Sequence, residues 1–211
     1  MIRVLIADDH TIVREGLRNL LEAAGDFEIV GDAPDAPAAI QLARKVDFDV
    51  AVLDISMPGL SGIDLVKQMR AERPRARILM LSMHEQHEYA VRAIRAGASG
   101  YLTKDSASRE LATALRKIAA GGAYITAEVA EQLALGAMPD ANAAPHSVLS
   151  DREFQVLRSL VSGKTVSEIA QSLNLSIKTV STHKARLMQK INVENNSELF
   201  RYAMRHGLIE K

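Results

Sequence analysis

The chain has 211 residues, 47% of them hydrophobic and 25% charged, with no net charge. That is the make-up of a soluble globular protein with two cores of ordinary size, and it excludes a disordered or fibrous chain. The absence of cysteine excludes disulfides, thiolate chemistry and cysteine-based zinc sites, and an aromatic share of 4% leaves aliphatic side chains to fill the interior.

The opening run Ile2–Ala7 is too short for a secretory signal and is followed at once by acids. No stretch approaches the ~20 apolar residues of a membrane span, so the cytoplasm is the expected location. Over the first 120 residues, strand and helix signals alternate. Ile2–Ala7, Phe27–Gly31, Val50–Asp54, Arg77–Ser82 and Ser99–Leu102 read as short apolar strands buried on both faces of a parallel sheet. Helical spacing follows each: Val13, Leu17, Leu20 and Leu21; then Ile40 and Leu42; then Ile63, Leu65, Val66 and Met69; then Tyr89, Val91 and Ile94; last, Leu111, Leu115 and Ile118. Five such units predict an α/β fold, a five-stranded doubly wound parallel sheet whose ligands bind beyond the strand C-termini.

Gly121-Gly122 ends that domain, set at residues 1–121. A partly helical linker is expected over 122–147, with one helix over Thr126–Leu135 and a structureless, proline-containing stretch from Gly136 to Pro145. Residues 148–211 form the second domain, predicted all-α with four helices. Ser150/Glu153, Thr165/Glu168 and Asn195/Glu198 each have capping-box spacing, and Ser176 caps a further helix. Only Asn174-Leu175-Ser176 separates the second and third helices, which suits a helix-turn-helix. Charge is divided unevenly: 16 Lys and Arg against 17 Asp and Glu over residues 1–124, none against 3 over 125–147, and 10 against 6 over 148–211. The basic end points to an anionic partner, most simply nucleic acid.

The sheet order brings Asp8, Asp9 and Asp54 to one edge together with Ser82 and Lys104. Three crowded carboxylates repel each other, and a divalent cation with oxygen ligands, Mg2+ or alternatively Mn2+, would stabilise them. An ionised Asp54 could then attack phosphorus to give an acyl phosphate, with Lys104 and Ser82 holding phosphoryl oxygens. His10 is read as a helix-start residue near acids without chemistry, and His84 and His87 as loop residues lacking metal-ligand company.

Ile6-Ala7-Asp8-Asp9-His10, Leu53-Asp54-Ile55-Ser56-Met57-Pro58-Gly59, Leu81-Ser82 and Gly97-Ala98-Ser99-Gly100-Tyr101-Leu102-Thr103-Lys104 resemble the receiver domain of two-component response regulators of the NarL/FixJ family. The resemblance implies a CheY-like, flavodoxin-like receiver in which Asp54 takes a phosphoryl group from a sensor histidine kinase. It also implies that Asp9, Asp54 and the Ser56 backbone carbonyl bind the metal, that Asp8 acts through water, and that Ser82 and Tyr101 form a switch pair. Receivers often carry proline after the lysine in a cis linkage; Asp105 stands there instead.

Leu149–Glu153, Val166–Ala170 and Ser176–His183 resemble the LuxR-type helix-turn-helix over about residues 148–208. The resemblance implies a recognition helix from about Ile177 to Ile191. Its candidate DNA-binding residues are Lys178, Thr179, Ser181, Thr182, His183, Lys184, Ala185 and Arg186, with Thr165 on the preceding helix. The protein is thus expected to be a transcription factor that binds double-stranded DNA as a homodimer, with RNA polymerase as a further candidate contact. It is not expected to be an enzyme with an external substrate, although the receiver is expected to catalyse its own dephosphorylation. A receiver-controlled regulator that binds a protein partner and no DNA is the alternative. A haloacid-dehalogenase-like phosphatase would need a second Asp where Ser56 stands, and a dinucleotide enzyme would need a glycine-rich turn in place of Asp8-Asp9-His10-Thr11.

Overall fold

The computed structural model describes residues 1–57, 60–83, 87–135 and 145–209, apart from the side chain of His87. Pro58 and Gly59 of the second motif, His84, and residues 136–144 of the expected structureless stretch lie outside the described residues. The chain divides into two compact units, residues 1–138 and 139–211.

In the first unit, β1 (Ile2–Ala7), α1 (Thr11–Ala24), β2 (Phe27–Ala33), α2 (Ala36–Lys45), β3 (Val50–Asp54), α3 (Gly62–Glu72), β4 (Arg77–Ser82), α4 (His87–Arg95), β5 (Gly100–Thr103) and α5 (Lys104–Ala119) alternate as the hydrophobic pattern predicts. The strands form one parallel sheet in the order β2-β1-β3-β4-β5. The sheet is doubly wound because strand faces alternate with every residue. Val4, Ile6, Val50, Val52, Leu79 and Leu81 pack with Leu17 and Leu21 of α1 and with Leu111, Leu115 and Ile118 of α5. The intervening Leu5, Ala51, Leu53, Ile78 and Met80 are also buried, toward the side on which α2, α3 and α4 lie.

Beyond α5, the Tyr124 amide donates to the Ser99 carbonyl at 3.0 Å and the Tyr124 carbonyl accepts from the Tyr101 amide at 3.0 Å, a parallel bridge onto the outer edge of β5. Helix α6 (Ala127–Leu135) then packs against α4. The first part of the segment expected as linker is therefore fastened to the sheet unit.

The second unit opens with a 3-10 turn over Pro145–Val148, followed by α7 (Asp151–Val161), α8 (Val166–Ser172), α9 (Ile177–Lys190) and α10 (Asn196–Arg205). Ser150 and Thr165 make complete capping boxes with Glu153 and Glu168, and Ser176 accepts from the Thr179 amide at 3.0 Å. The third box closes differently. Asn195 accepts from the Glu198 amide, but the Glu198 carboxylate takes the Glu194 amide at 2.8 Å instead of its own cap.

All four helices end alike. A residue at positive φ, Gly163, Asn174, Asn192 or Gly207, turns the chain, and the next amide bonds back to the carbonyl five residues earlier: Lys164 to Ser159, Leu175 to Ala170, Val193 to Met188, Leu208 to Ala203. These tight stops pack Phe154, Leu157, Ile169, Val180, Leu187 and Leu199 into one small core. Among the described residues no helix is long and apolar enough to cross a membrane.

Candidate functional site

Register alone assembles the first site. Ala7 lies beside Leu53 and Asp54 beside Leu81, so Asp8 and Asp54 emerge next to each other; Ser82 lies beside Thr103, and Lys104 comes next. Asp8 and Asp54 are each 1% exposed, a placement that isolated carboxylates do not tolerate. Lys104 compensates them: its Nζ stands 2.6 Å from Asp8 Oδ2 and 3.2 Å from Asp54 Oδ2. Lys104 is itself the first residue of α5, held there by the Thr103 cap, and its peptide bond to Asp105 is trans. Asp105 thus enters the helix directly, without the cis linkage that proline would favour.

Burial pushes the Asp54 carboxyl up to about 6, the Lys104 ammonium working against the shift and Asp8 adding to it. Burial pulls Lys104 down, but the Asp54 and Asp8 carboxylates outweigh it and leave the ammonium raised. At neutral pH the site therefore holds ionised Asp54 beside a cation.

The donor set suits a divalent metal ion. Asp54 Oδ1 is buried with no hydrogen-bond partner, and ligand atoms of Asp8, Asp9, His10 and Asp54 all lie within 4.8 Å of one another. Ser56 is exposed two residues beyond Asp54. Ser82 is fully buried and hydrogen bonds the Tyr101 side chain, which is 8% exposed on β5. Burial holds the Tyr101 phenol well above its ordinary range. The sheet edge thus gathers Asp8, Asp9, Asp54 and Lys104, with Ser82 and Tyr101 paired alongside. His10, read from sequence as inert, belongs to the same cluster. The one sequence signal was its place directly after two acids.

The loop carrying Asp54 is held by its backbone. The Gly62 amide donates to the Ile55 carbonyl at 3.1 Å, and a Cβ at Gly62 would stand 2.4 Å from Ile55 Cα and 2.8 Å from the Asp54 carbonyl oxygen.

In the second unit α9 buries Val180 and Leu187 and exposes Lys178, Ser181, Thr182, Ala185 and Arg186, with Thr179, His183 and Lys184 intermediate. The hydroxyls are partly committed. Thr165 Oγ1 donates to Glu168 at 2.8 Å, Thr179 Oγ1 lies 2.8 Å from Ser176 Oγ, and Thr182 Oγ1 donates to the Lys178 carbonyl at 2.9 Å. The His183 ring turns inward: its Nδ1 is buried without a hydrogen-bond partner, and burial followed by the Arg152 charge lowers its pKa. Gln189, absent from the sequence reading, is exposed on the same face, one turn beyond Ala185. Spacing of 4, 7 and 11 residues from Lys178 would have found it.

Comparison with known proteins gives the family of each part of the chain. Residues 4–116 match the response regulator receiver domain, and residues 147–203 match the bacterial regulatory proteins of the luxR family. The chain is 36% identical over 209 residues to the response regulator UvrY of Escherichia coli K12, covering 99% of this chain and 96% of UvrY. Among solved structures it resembles RcsB of Salmonella enterica serovar Typhimurium bound to the rprA promoter in the presence of the phosphomimetic BeF3−. That match has 33% identity and a TM-score of 0.66 over 97% of this chain and 99% of that one. A structure of two RcsB dimers on two parallel DNAs matches at 33% identity and a TM-score of 0.58, over 96% and 98% of the two chains. A receiver sheet with an acidic pocket, ahead of a LuxR-type helix-turn-helix, defines the class. The chain belongs to the response regulators of the NarL/FixJ family.

Proposed function

We propose that this protein is a phosphorylation-controlled transcription factor in which Asp54 accepts the phosphoryl group and α9 reads DNA. The observation that carries this reading is the buried Asp54 carboxylate between Lys104 and Asp8, with an oxygen left unbonded at the open strand end.

An Asp54 oxygen attacks the phosphorus of a sensor kinase's phosphohistidine, forming the P–O bond as the P–N bond breaks, and the kinase imidazole leaves and takes up a proton. Lys104 neutralises one phosphoryl oxygen, and the Ser82 hydroxyl, turning from Tyr101, donates to another. Asp8, Asp9, Asp54 and the Ser56 carbonyl would hold Mg2+ or Mn2+, whose charge offsets the remaining phosphoryl oxygens. Water attack on the phosphorus of the same acyl phosphate breaks the bond to the Asp54 oxygen, releases inorganic phosphate and returns the carboxylate to its resting form.

In the second unit, Lys178, Lys184 and Arg186 contact phosphates, while Ser181, Thr182, Ala185 and Gln189 face base edges. Thr165 caps α8, and Thr179 and His183 support α9, more than they touch DNA, given their capping bonds and the inward ring. Phe200 and Met204 stand one turn apart on α10, 39% and 66% exposed, an apolar strip suited to a second copy of the chain on DNA.

Incubation with a small phosphodonor and a divalent cation, read by intact-protein mass, tests the first step. One phosphoryl group per chain is expected in wild type and none in Asp54→Asn; labelling of Asp54→Asn to the wild-type extent would overturn the assignment.

A further inference from the structure

Helix α9 starts on an apolar residue turned to solvent. Ile177 follows the cap Ser176, whose side chain accepts from the Thr179 amide at 3.0 Å and whose hydroxyl lies 2.8 Å from that of Thr179. These bonds fix the first turn. Ile177 is nevertheless 57% exposed, while Val180 and Leu187 of the same helix are fully buried.

Helix formation does not call for isoleucine here. A β-branched side chain loses rotamer freedom in a helix, and an exposed first turn is served better by acidic residues or proline. A single exposed aliphatic side chain is ordinary on a protein surface, so the meaning of this one lies in its position. Residues four and seven places on share its face, which puts Ile177 in one row with Ser181 and Lys184 and beside the row of Lys178, Thr182 and Ala185. Lys178, Ser181, Thr182 and Ala185 are all exposed. Among the described residues of α9, Ile177 is the one exposed large apolar side chain. It stands at the N-terminal end, the part of a recognition helix that contacts base edges.

Isoleucine has neither donor nor acceptor, so it cannot read a hydrogen-bonding pattern. The apolar group that a base edge presents in the major groove is the C5-methyl of thymine. We infer that Ile177 is a specificity-determining residue that reads a thymine methyl. The inference rests on α9 as the recognition helix and adds an apolar contact to its polar ones. The restricted χ1 of a β-branched residue in a helix holds the isoleucine methyls ready for that contact. A cytosine in the same place would bury its amino donor against hydrocarbon, which disfavours it.

The test uses the full chain with beryllofluoride and magnesium and a duplex selected from a random pool. In copies of that duplex each thymine in turn is replaced by deoxyuridine, which lacks only the methyl, and fluorescence anisotropy gives the affinities. In wild type, removing the methyl at one position should weaken binding roughly three- to fivefold, the size of one lost methyl contact. Ile177→Ala should bind the parent duplex more weakly by a similar factor and lose less than about 1.5-fold on the same replacement. Ile177→Gln, which keeps the reach without the apolar surface, should also be insensitive to the methyl. Both variants change an exposed side chain, and circular dichroism checks their fold. Unchanged parent affinity in Ile177→Ala, a methyl effect that persists in either variant, or a wild type indifferent to every thymine methyl overturns the inference. If Thr182→Ala and Lys184→Ala also bind like wild type, the reading of α9 as the recognition helix falls with it.

Discussion

The buried Asp54 side chain carries an electrostatic cost. Its carboxyl titrates at about 6 in the folded, ion-free protein against an ordinary value of 3.8, so folding takes up a proton between those two values. Stability contributed by the protonated form is present in full below about pH 4, falls as pH rises, and is gone above about 6. Ion-free Asp54→Asn should therefore be more stable than wild type at about pH 7.5 by roughly 3 kcal/mol, and the two should converge near pH 4. Paired denaturation curves at both values check this, and a difference of the same size at both pH values would contradict the burial argument. The acids were legible in sequence because each closes an apolar strand. His10 and Gln189 were not, since one depends on where a ring turns and the other on which helix face stays bare.

At the level of elements, Gly62 and Tyr124 are the positions where backbone packing decides the outcome. Gly62→Ala forces a methyl into the Asp54–Ile55 backbone, and overpacking of that kind costs about 1–3 kcal/mol. It should also abolish phosphorylation by a small donor while leaving the second unit's helices intact. Normal labelling would show that the loop yields.

Tyr124 extends β5 at the amide of Tyr101 and donates its hydroxyl to Glu110 on α5 at 2.6 Å. Tyr124→Phe keeps the strand pairing and loses that bond, so a cost of about 1 kcal/mol is expected in thermal unfolding of the full chain. An unchanged melting curve would show the bond to be dispensable. Helix starts were readable because caps are local: Ser150, Thr165 and Ser176 hold their partners as spacing predicts. The pairing of Tyr124 with β5 was not, because it joins residues more than 20 positions apart and leaves no periodic trace in the segment itself.

For the whole molecule, the division of charge and the division of folds coincide. The acidic pocket belongs to the first unit, while the excess of Lys and Arg lies in residues 148–211 and presents α9. Lys184→Ala should weaken binding across DNA sequences and lower the salt slope by about 1, while Thr182→Ala should change sequence preference instead. Salt titrations on selected and random duplexes separate the two effects. The alternation of strands and helices made the two-unit plan legible, because burial on both faces and capping are written in local sequence. The coupling between units is not written there, and it is the centre of the functional account.

Its most direct test is the affinity of the full chain for a duplex selected from a random pool, by fluorescence anisotropy, with and without beryllofluoride and magnesium. Wild type should bind about tenfold or more tightly when beryllofluoride is present, and Asp54→Asn should not respond. Equal affinity in both wild-type states, or the same gain in Asp54→Asn, would contradict control of DNA binding through Asp54.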